Sequence, residues 1–244
     1  MIIGISGLAG SGKDTCADFL VRDHNFVKVS FADPMKRICM DVYGFSFDQL
    51  WGPSAARNAP DTRLPRKHMW QPDYNDGWHT CQCCGAKCKR GESADRDQCY
   101  LTPRFALQQL GSEWGRVCRE DTWVEYALTI ATKLSQEGGY HYSAMGGLSH
   151  DWRPGDLNWK TDVVIPDVRF ENELLGLDVV GARTIRVIRP DAGLSGAAGA
   201  HRSETEQGEI PNDRFDLVIE NDGTLKDLEC GLTTAVCVWA AQGE

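Results

Sequence analysis

The stretch "GLAGSGKDT", Gly7 to Thr15, follows directly on the apolar run "MIIGIS" and leads into "KDTCADFLVRDH". No other feature limits the fold of this chain as strongly. A short continuous apolar run bounded by glycine reads as a strand buried on both faces. In the segment after it, Cys16, Ala17, Leu20 and Val21 recur at helical spacing. Glycines between a buried strand and a helix let the backbone turn tightly. They aim N–H groups at a point where the helix dipole favours an anion. Gly7, Gly12 and Lys13 fit the phosphate-loop spacing G-x-x-x-x-G-K-[ST], but Asp14 occupies the hydroxyl position and Thr15 follows one step late.

Downstream, "FVKVSF" (Phe26–Phe31) predicts a second strand. "FADPMKRICMDVYG" predicts a helix capped by Asp33, with Pro34 in its first position and Gly44 at its end. Between Trp51 and Tyr100 the periodicity is lost, which predicts an insertion over 52–100. Thr102-Pro103 starts a helix whose apolar face holds Leu107, Leu110, Trp114 and Val117. Thr122 and Glu125 have capping-box spacing for another helix, which stops at Gly138-Gly139. Residues 140–160 read as an aromatic, glycine-rich loop. "TDVVIPD", "ARTIRVIRP" and "DLVIEN" are strands, and "RFENELLGLDVVG" and "LKDLECGLTTAVCVWAA" are helices. A long Gly/Ala-rich loop runs from Asp191 to Pro211. Strands that alternate with helices predict an α/β fold, a parallel sheet flanked by helices on both faces.

The net charge of −9 argues against a general affinity for nucleic acid, so no such partner is expected. It leaves room for a small nucleotide in a locally positive loop. The N-terminal apolar run is too short and lacks the basic flank of a secretory signal, and no stretch is apolar enough to span a membrane. A cytoplasmic location is therefore expected, where cysteines stay reduced. Five of the ten cysteines (Cys81, Cys83, Cys84, Cys88 and Cys99) crowd into one stretch, "WHTCQCCGAKCKRGESADRDQC". Cys81, Cys84, Cys88 and Cys99 can give a tetrahedral zinc its four thiolates, with His79 and Cys83 as substitutes. A small insertion with few apolar residues needs such a staple.

Several stretches occur in one order along the chain: "SGKDT", "FADPMK", "RFALQQLGSEWGR", "DTWVEYAL", "VIPDVRFENE", "RVIRP", "HRSE" and "DLVIENDGTLKDL". Together they resemble the deoxynucleoside monophosphate kinases encoded by bacteriophages, a branch of the P-loop kinase fold. The resemblance covers most of the chain outside 52–100 and 140–160, and the cysteine cluster departs from it. It implies one P-loop kinase domain over 1–244, with the Cys-rich insertion at 52–100 and a lid-like loop at 190–211. It also implies ATP as phosphoryl donor, Mg²⁺ as cofactor and a deoxynucleoside monophosphate as acceptor. The location would be the host cytoplasm, and either a monomer or a homodimer is open.

In such kinases the residue after the lysine is commonly not a hydroxyl. Thr15 then contacts a phosphate, and Asp14 supports the water shell of the metal. ATP would be held by Gly10, Ser11, Gly12, Lys13, Asp14 and Thr15, with Asn221 and Asp222 on the adenine side. Lys13, Asp167, Arg169 and the lid residue Arg202 would be catalytic. The acceptor would meet Lys36, Arg37, Asp41, Arg104, Gly111, Ser112, Trp123, Asp167, Arg169 and Glu173. Two other readings remain beside it. One is a P-loop kinase with a hydroxyl acceptor, such as dephospho-coenzyme A or phosphomevalonate kinase, with Asp33 as base. The other is a zinc-bearing nucleic-acid binder with a P-loop switch.

Overall fold

The structure, a computed structural model, describes residues 1–72, 78–81, 87–89, 99–150, 160–190, 192–193 and 202–242. The side chains of residues 71, 72, 78, 88, 89 and 202–205 are not described. The chain opens with β1 (Ile2–Ser6), α1 (Lys13–His24) and β2 (Val27–Lys28). Then come α2 (Asp33–Tyr43), α3 (Phe47–Trp51), α4 (Ser54–Asn58), β3 (Asp61–Arg66) and β4 (Trp70–Pro72). These are followed by β5 (Trp78–Cys81), β6 (Lys87–Lys89) and β7 (Cys99–Leu101). Helix α5 (Pro103–Gln108) continues as a π-helix, Gln109–Arg116, and α6 (Thr122–Thr132) continues as a second, Lys133–Glu137. The hairpin β8 (Tyr140–Ser143) and β9 (Gly147–His150) precedes β10 (Val163–Val168), α7 (Glu171–Val179) and β11 (Arg183–Ile188). Last come α8 (Arg202–Glu209), β12 (Leu217–Glu220) and α9 (Leu225–Gln242).

The chain forms two compact units, one of Met1–Phe31 with Asp121–Glu244 and the other of Ala32–Glu120. The first holds a five-stranded parallel sheet in the order β12-β11-β1-β10-β2. Ile3 of β1 stands opposite Val164 on one side and Arg183 on the other. As a continuous apolar run requires, every residue of β1 is buried. One core joins Ile3, Ile5, Val164 and Ile185 of the sheet to Cys16, Ala17 and Leu20 of α1 and Leu228, Leu232 and Val236 of α9. On α7, a Cβ at Gly176 would come within 2.7 Å of Leu128 and 2.8 Å of Val124, so glycine lets α6 lie close. The α/β arrangement of a parallel sheet flanked by helices is present. No described helix is long and apolar enough to cross a membrane.

The second unit is built from α2 to α5 and small antiparallel sheets. β3 pairs with β7, and β4, β5 and β6 form a three-stranded sheet. Its helical core is Cys39, Phe45, Leu50 and Ala106, against which Leu107 and Leu110 pack.

Several boundaries differ from expectation. Of "FVKVSF", only Val27 and Lys28 lie in the ladder; the chain then turns at Ser30 to meet Asp167. Asp33 is not a cap: it lies inside α2, buried, and accepts the Trp51 indole N–H at 3.0 Å. Thr122 is likewise inside α6, whose cap position falls to Asp121. Trp114 and Val117 are exposed (54% and 78%) because the π-winding from Gln109 turns them off the α-helical stripe. The loop expected over 140–160 opens with the β8–β9 hairpin, turned at Gly147 with φ +75°. The expected loop Asp191–Pro211 contains α8, anchored by one buried side chain described below.

Candidate functional site: a glycine loop and its supports

The loop from Gly7 to Gly12 joins the C-terminal end of β1 to the N-terminus of α1. Gly10 (φ +82°) and Gly12 (φ +102°) adopt left-handed backbone that side chains rarely tolerate. At Gly12 a Cβ would also stand 2.5 Å from Asn221 Nδ2. The first intrahelical bond of α1 is Cys16 N–H to Gly12 C=O at 3.0 Å. The N–H groups of Asp14 and Thr15 therefore have no carbonyl of their own helix one turn back, as at any helix start. Lys13 is buried, with its ammonium 3.9 Å from the exposed carboxylate of Asp14. Thr15 is exposed beside it. Ser11 is 1% exposed, and its Oγ has no hydrogen-bond partner among the described residues. Burial pushes the Cys16 thiol, one turn into α1, up to about 12, so it stays protonated near neutrality.

Two side chains brace this loop, and a third holds the segment that carries one of them. Asn221, just past β12, donates through Nδ2 to the Ser11 carbonyl at 2.8 Å, so it supports the loop backbone directly. Gln207 of α8 is 1% exposed. Its Nε2 lies 3.1 Å from Ser6 Oγ, 3.1 Å from the Gly7 carbonyl and 3.0 Å from the Val168 carbonyl. One amide thus ties α8 to the ends of β1 and β10. Arg186 of β11 donates to the carbonyls of Ile210 and, at 3.2 Å, Gln207. Burial lowers its pKa. Sequence reading missed Gln207 and Arg186. Only a buried glutamine in a polar helix marks the first, and burial is invisible in the sequence.

At the end of β10, Asp167 accepts hydrogen bonds from Ser30 Oγ and, at 3.2 Å, from the Phe31 N–H. Glu173 is 2% exposed and accepts the backbone N–H groups of Arg169 (2.6 Å) and Phe170 (3.1 Å). Its carboxylate thus caps α7 and sets the backbone of Arg169. Trp123 is buried in α6. The side chain of Arg202, with those of Ser203 and Glu204, lies outside the described residues, as does all of His201.

The other acceptor candidates lie in the second unit. Lys36 stands 3.8 Å from the buried Asp33 carboxylate and 5.2 Å from the centre of the Trp51 ring. Arg37 is half-buried and Asp41 exposed on the same helix. Arg104 reaches Asn58 Oδ1 at 2.5 Å and Ser54 Oγ at 2.9 Å. Gly111 is buried in the π-helix, where a Cβ would meet Met35 Sδ at 2.8 Å; Ser112 follows it, half-buried. The ten expected acceptor residues are therefore divided between the two units, six in the second and four in the first.

Of the expected zinc ligands, Cys81 and Cys99 lie together, their sulfurs 3.8 Å apart. Cys84 and Cys83, and the side chain of Cys88, fall outside the described residues. The imidazole beside the two sulfurs is that of His68, not His79. His68 precedes β4 and lies outside the stretch "WHTCQCCGAKCKRGESADRDQC", so it was not among the expected ligands.

No protein-family model matches the chain. It is 27% identical to "Putative deoxynucleotide monophosphate kinase" of Acanthamoeba polyphaga mimivirus over 239 residues, covering 97% of this chain and 96% of that protein. It is 26% identical to "Deoxynucleotide monophosphate kinase" of Enterobacteria phage T4, covering 93% of this chain and 95% of that protein. The resemblance to phage-type deoxynucleoside monophosphate kinases is borne out by these relatives, and with it the reading of the chain as a nucleotide kinase.

Proposed function

We propose that the protein transfers the γ-phosphoryl group of ATP to a deoxynucleoside monophosphate, giving the diphosphate. The observation that carries this reading is the strand–glycine–lysine–helix geometry at Gly7–Thr15. It occurs in a chain similar along its length to two proteins bearing that name. The residues there fit a phosphate chain. Gly10 and Gly12 leave the backbone bare, Ser11 Oγ is buried without a partner among the described residues, and Lys13 begins the helix.

The acceptor is itself an anionic phosphate, so the reaction needs no strong general base; positioning and charge neutralisation carry it. Gly10 to Thr15 hold the donor phosphates through backbone N–H groups, Lys13 neutralises the outer ones, and Thr15 adds a hydroxyl. Bound Mg²⁺ would neutralise charge on the phosphate oxygens, and Asp14, exposed on the first turn of α1, would hold its waters. Asn221 serves the ATP side through its bond to Ser11. Arg169 and Arg202 supply positive charge to the group in transfer, and Asp167, oriented by Ser30 and Phe31, serves the metal or the acceptor's sugar. Lys36, Arg37, Asp41, Arg104, Gly111, Ser112, Trp123 and Glu173 serve the acceptor, Glu173 by setting Arg169. The enzyme would work in the host cytoplasm on free nucleotides.

The test is an ADP-release assay with ATP and Mg²⁺ against the four deoxynucleoside monophosphates, their ribose counterparts, dephospho-coenzyme A and phosphomevalonate. Diphosphate formed from a deoxynucleoside monophosphate, and lost in Lys13→Ala, is the expected result. Turnover confined to a hydroxyl acceptor, or none from folded protein, would overturn the reading.

A further inference from the structure

We propose that His68, Cys81 and Cys99 bind a zinc ion, a structural site that joins the two small sheets of the second unit. The inference goes beyond the proposed function and does not rest on it. Among the described residues, these three form the one group whose donor atoms approach within 4.8 Å of one another. The donor set is two thiolates and an imidazole with no carboxylate, which suits zinc and not Mg²⁺ or Ca²⁺. The distances agree. Zinc–sulfur bonds of about 2.3 Å place two thiolates of a tetrahedron about 3.8 Å apart. The Cys81 and Cys99 sulfurs are 3.8 Å apart, far beyond the roughly 2.05 Å of a disulfide.

The surroundings suit a metal held for structure. Cys81 and Cys99 are 1% and 2% exposed and pack with Phe105, Trp70 and Leu101, so water is kept from the sulfurs. The His68 ring stacks on Trp70, with centroids 4.5 Å apart and planes at 20°, which sets its orientation. Arg66 lies over the far partner of this wall, 4.6 Å from the centre of Phe105. Three of the four ligands of a structural zinc are thus assembled.

The position explains why an ion belongs there. Cys81 ends β5, in the three-stranded sheet; Cys99 begins β7, in the two-stranded sheet; His68 lies on the connection between β3 and β4. Sheets this small bury too little to hold themselves together. The small apolar cluster at Cys81, Cys99 and Phe105 touches the helical core at Cys39, Phe45, Leu50 and Ala106 through Leu101, which packs against both. One ion bonded to all three segments would add a strong tie to this small contact.

The experiment measures metal content in the full chain, purified reduced from zinc-supplemented culture, together with the zinc X-ray absorption spectrum. The expected result is about one zinc per chain, with sulfur ligands near 2.3 Å and at least one nitrogen ligand near 2.0 Å. His68→Gln, Cys81→Ser and Cys99→Ser should each cut the retained zinc at least about fivefold. The spectrum of the unmutated chain reads the ligands even where a variant fails to fold. In wild-type protein stripped of zinc, added Co²⁺ should give intense thiolate charge-transfer absorption. Absence of both zinc and the Co²⁺ signal would overturn the proposal. So would an all-sulfur spectrum, zinc retained in all three variants, or a Cys81–Cys99 disulfide in the reduced preparation. None of these readouts depends on kinase turnover.

Discussion

The parallel-sheet unit and the unit of residues 32–120 are held by different means. In the first, backbone ladders run through five strands, and Ile3, Ile5, Val164 and Ile185 are fully buried against α1 and α9. In the second, sheets of two and three strands are supplemented by side-chain bonds: Asp33 to Trp51, Arg104 to Asn58 and Ser54, Asp61 to Arg63 and Gln49. Where the backbone does the holding, a lysine such as Lys13 can be given over to chemistry. Where side chains do the holding, a residue proposed to bind substrate also carries structure. Substitutions should therefore separate activity from stability in the first unit and couple them in the second.

The largest expected effect tests the separation. Lys13→Ala should lower kcat/KM by about 100- to 1,000-fold, with a thermal midpoint close to that of the unmutated protein. A large drop in the midpoint instead would show that the loop is structural. Gln207→Leu sharpens the comparison, since with Asn221 it is a place in the first unit where a side chain holds the glycine loop. It leaves Ser6 Oγ and the Gly7 and Val168 carbonyls without their donor and should cost about 2–3 kcal/mol in denaturant unfolding. The KM for ATP should rise with it. If the KM stays put, α8 supports the fold alone.

The third prediction concerns acid. Arg63 donates to both carboxylate oxygens of Asp61 and, with Gln49, holds this carboxyl well below the usual range. In the unfolded chain it would titrate near its ordinary value of about 3.9, so its contribution is complete above roughly pH 5 and is lost as pH falls toward the depressed folded value. Asp61→Asn should lower stability at pH 7 by about 1–2 kcal/mol and flatten the loss between roughly pH 5 and 2. An unchanged acid profile would remove Asp61 from the account. The smallest effect is Arg104→Ala, at about 1 kcal/mol for its two bonds, accompanied by a raised KM for the acceptor. A change in KM with no change in unfolding would break the coupling claimed for the second unit.

Much of the first unit was legible before its coordinates. β1 and α1 begin and end where "MIIGIS" and "KDTCADFLVRDH" place them, because a continuous apolar run and a 3.6-residue period are local properties. Gly44 and Gly138 stop their helices as expected, with φ +66° and +70°. The second unit was less legible. Short strands without alternation leave no period to read, and the π-winding after Gln109 spoils the helical stripe drawn through Trp114 and Val117. Asp33 and Thr122 looked like caps because their residue types suit that role, but a tertiary partner claimed Asp33 and α6 began one residue earlier than its pattern suggested.

By itself the amino-acid order determined a parallel α/β sheet, a glycine loop at the end of its central strand, and the lysine that starts the next helix. These are set by residues within one or two turns of each other. Only the tertiary structure decided that Gln207 and Asn221 brace that loop, that Glu173 caps α7 and that His68 joins Cys81 and Cys99. Each of those contacts, save the cap, joins residues distant in sequence. Packing selects such partners by burial and distance, and neither leaves a periodic trace in the chain.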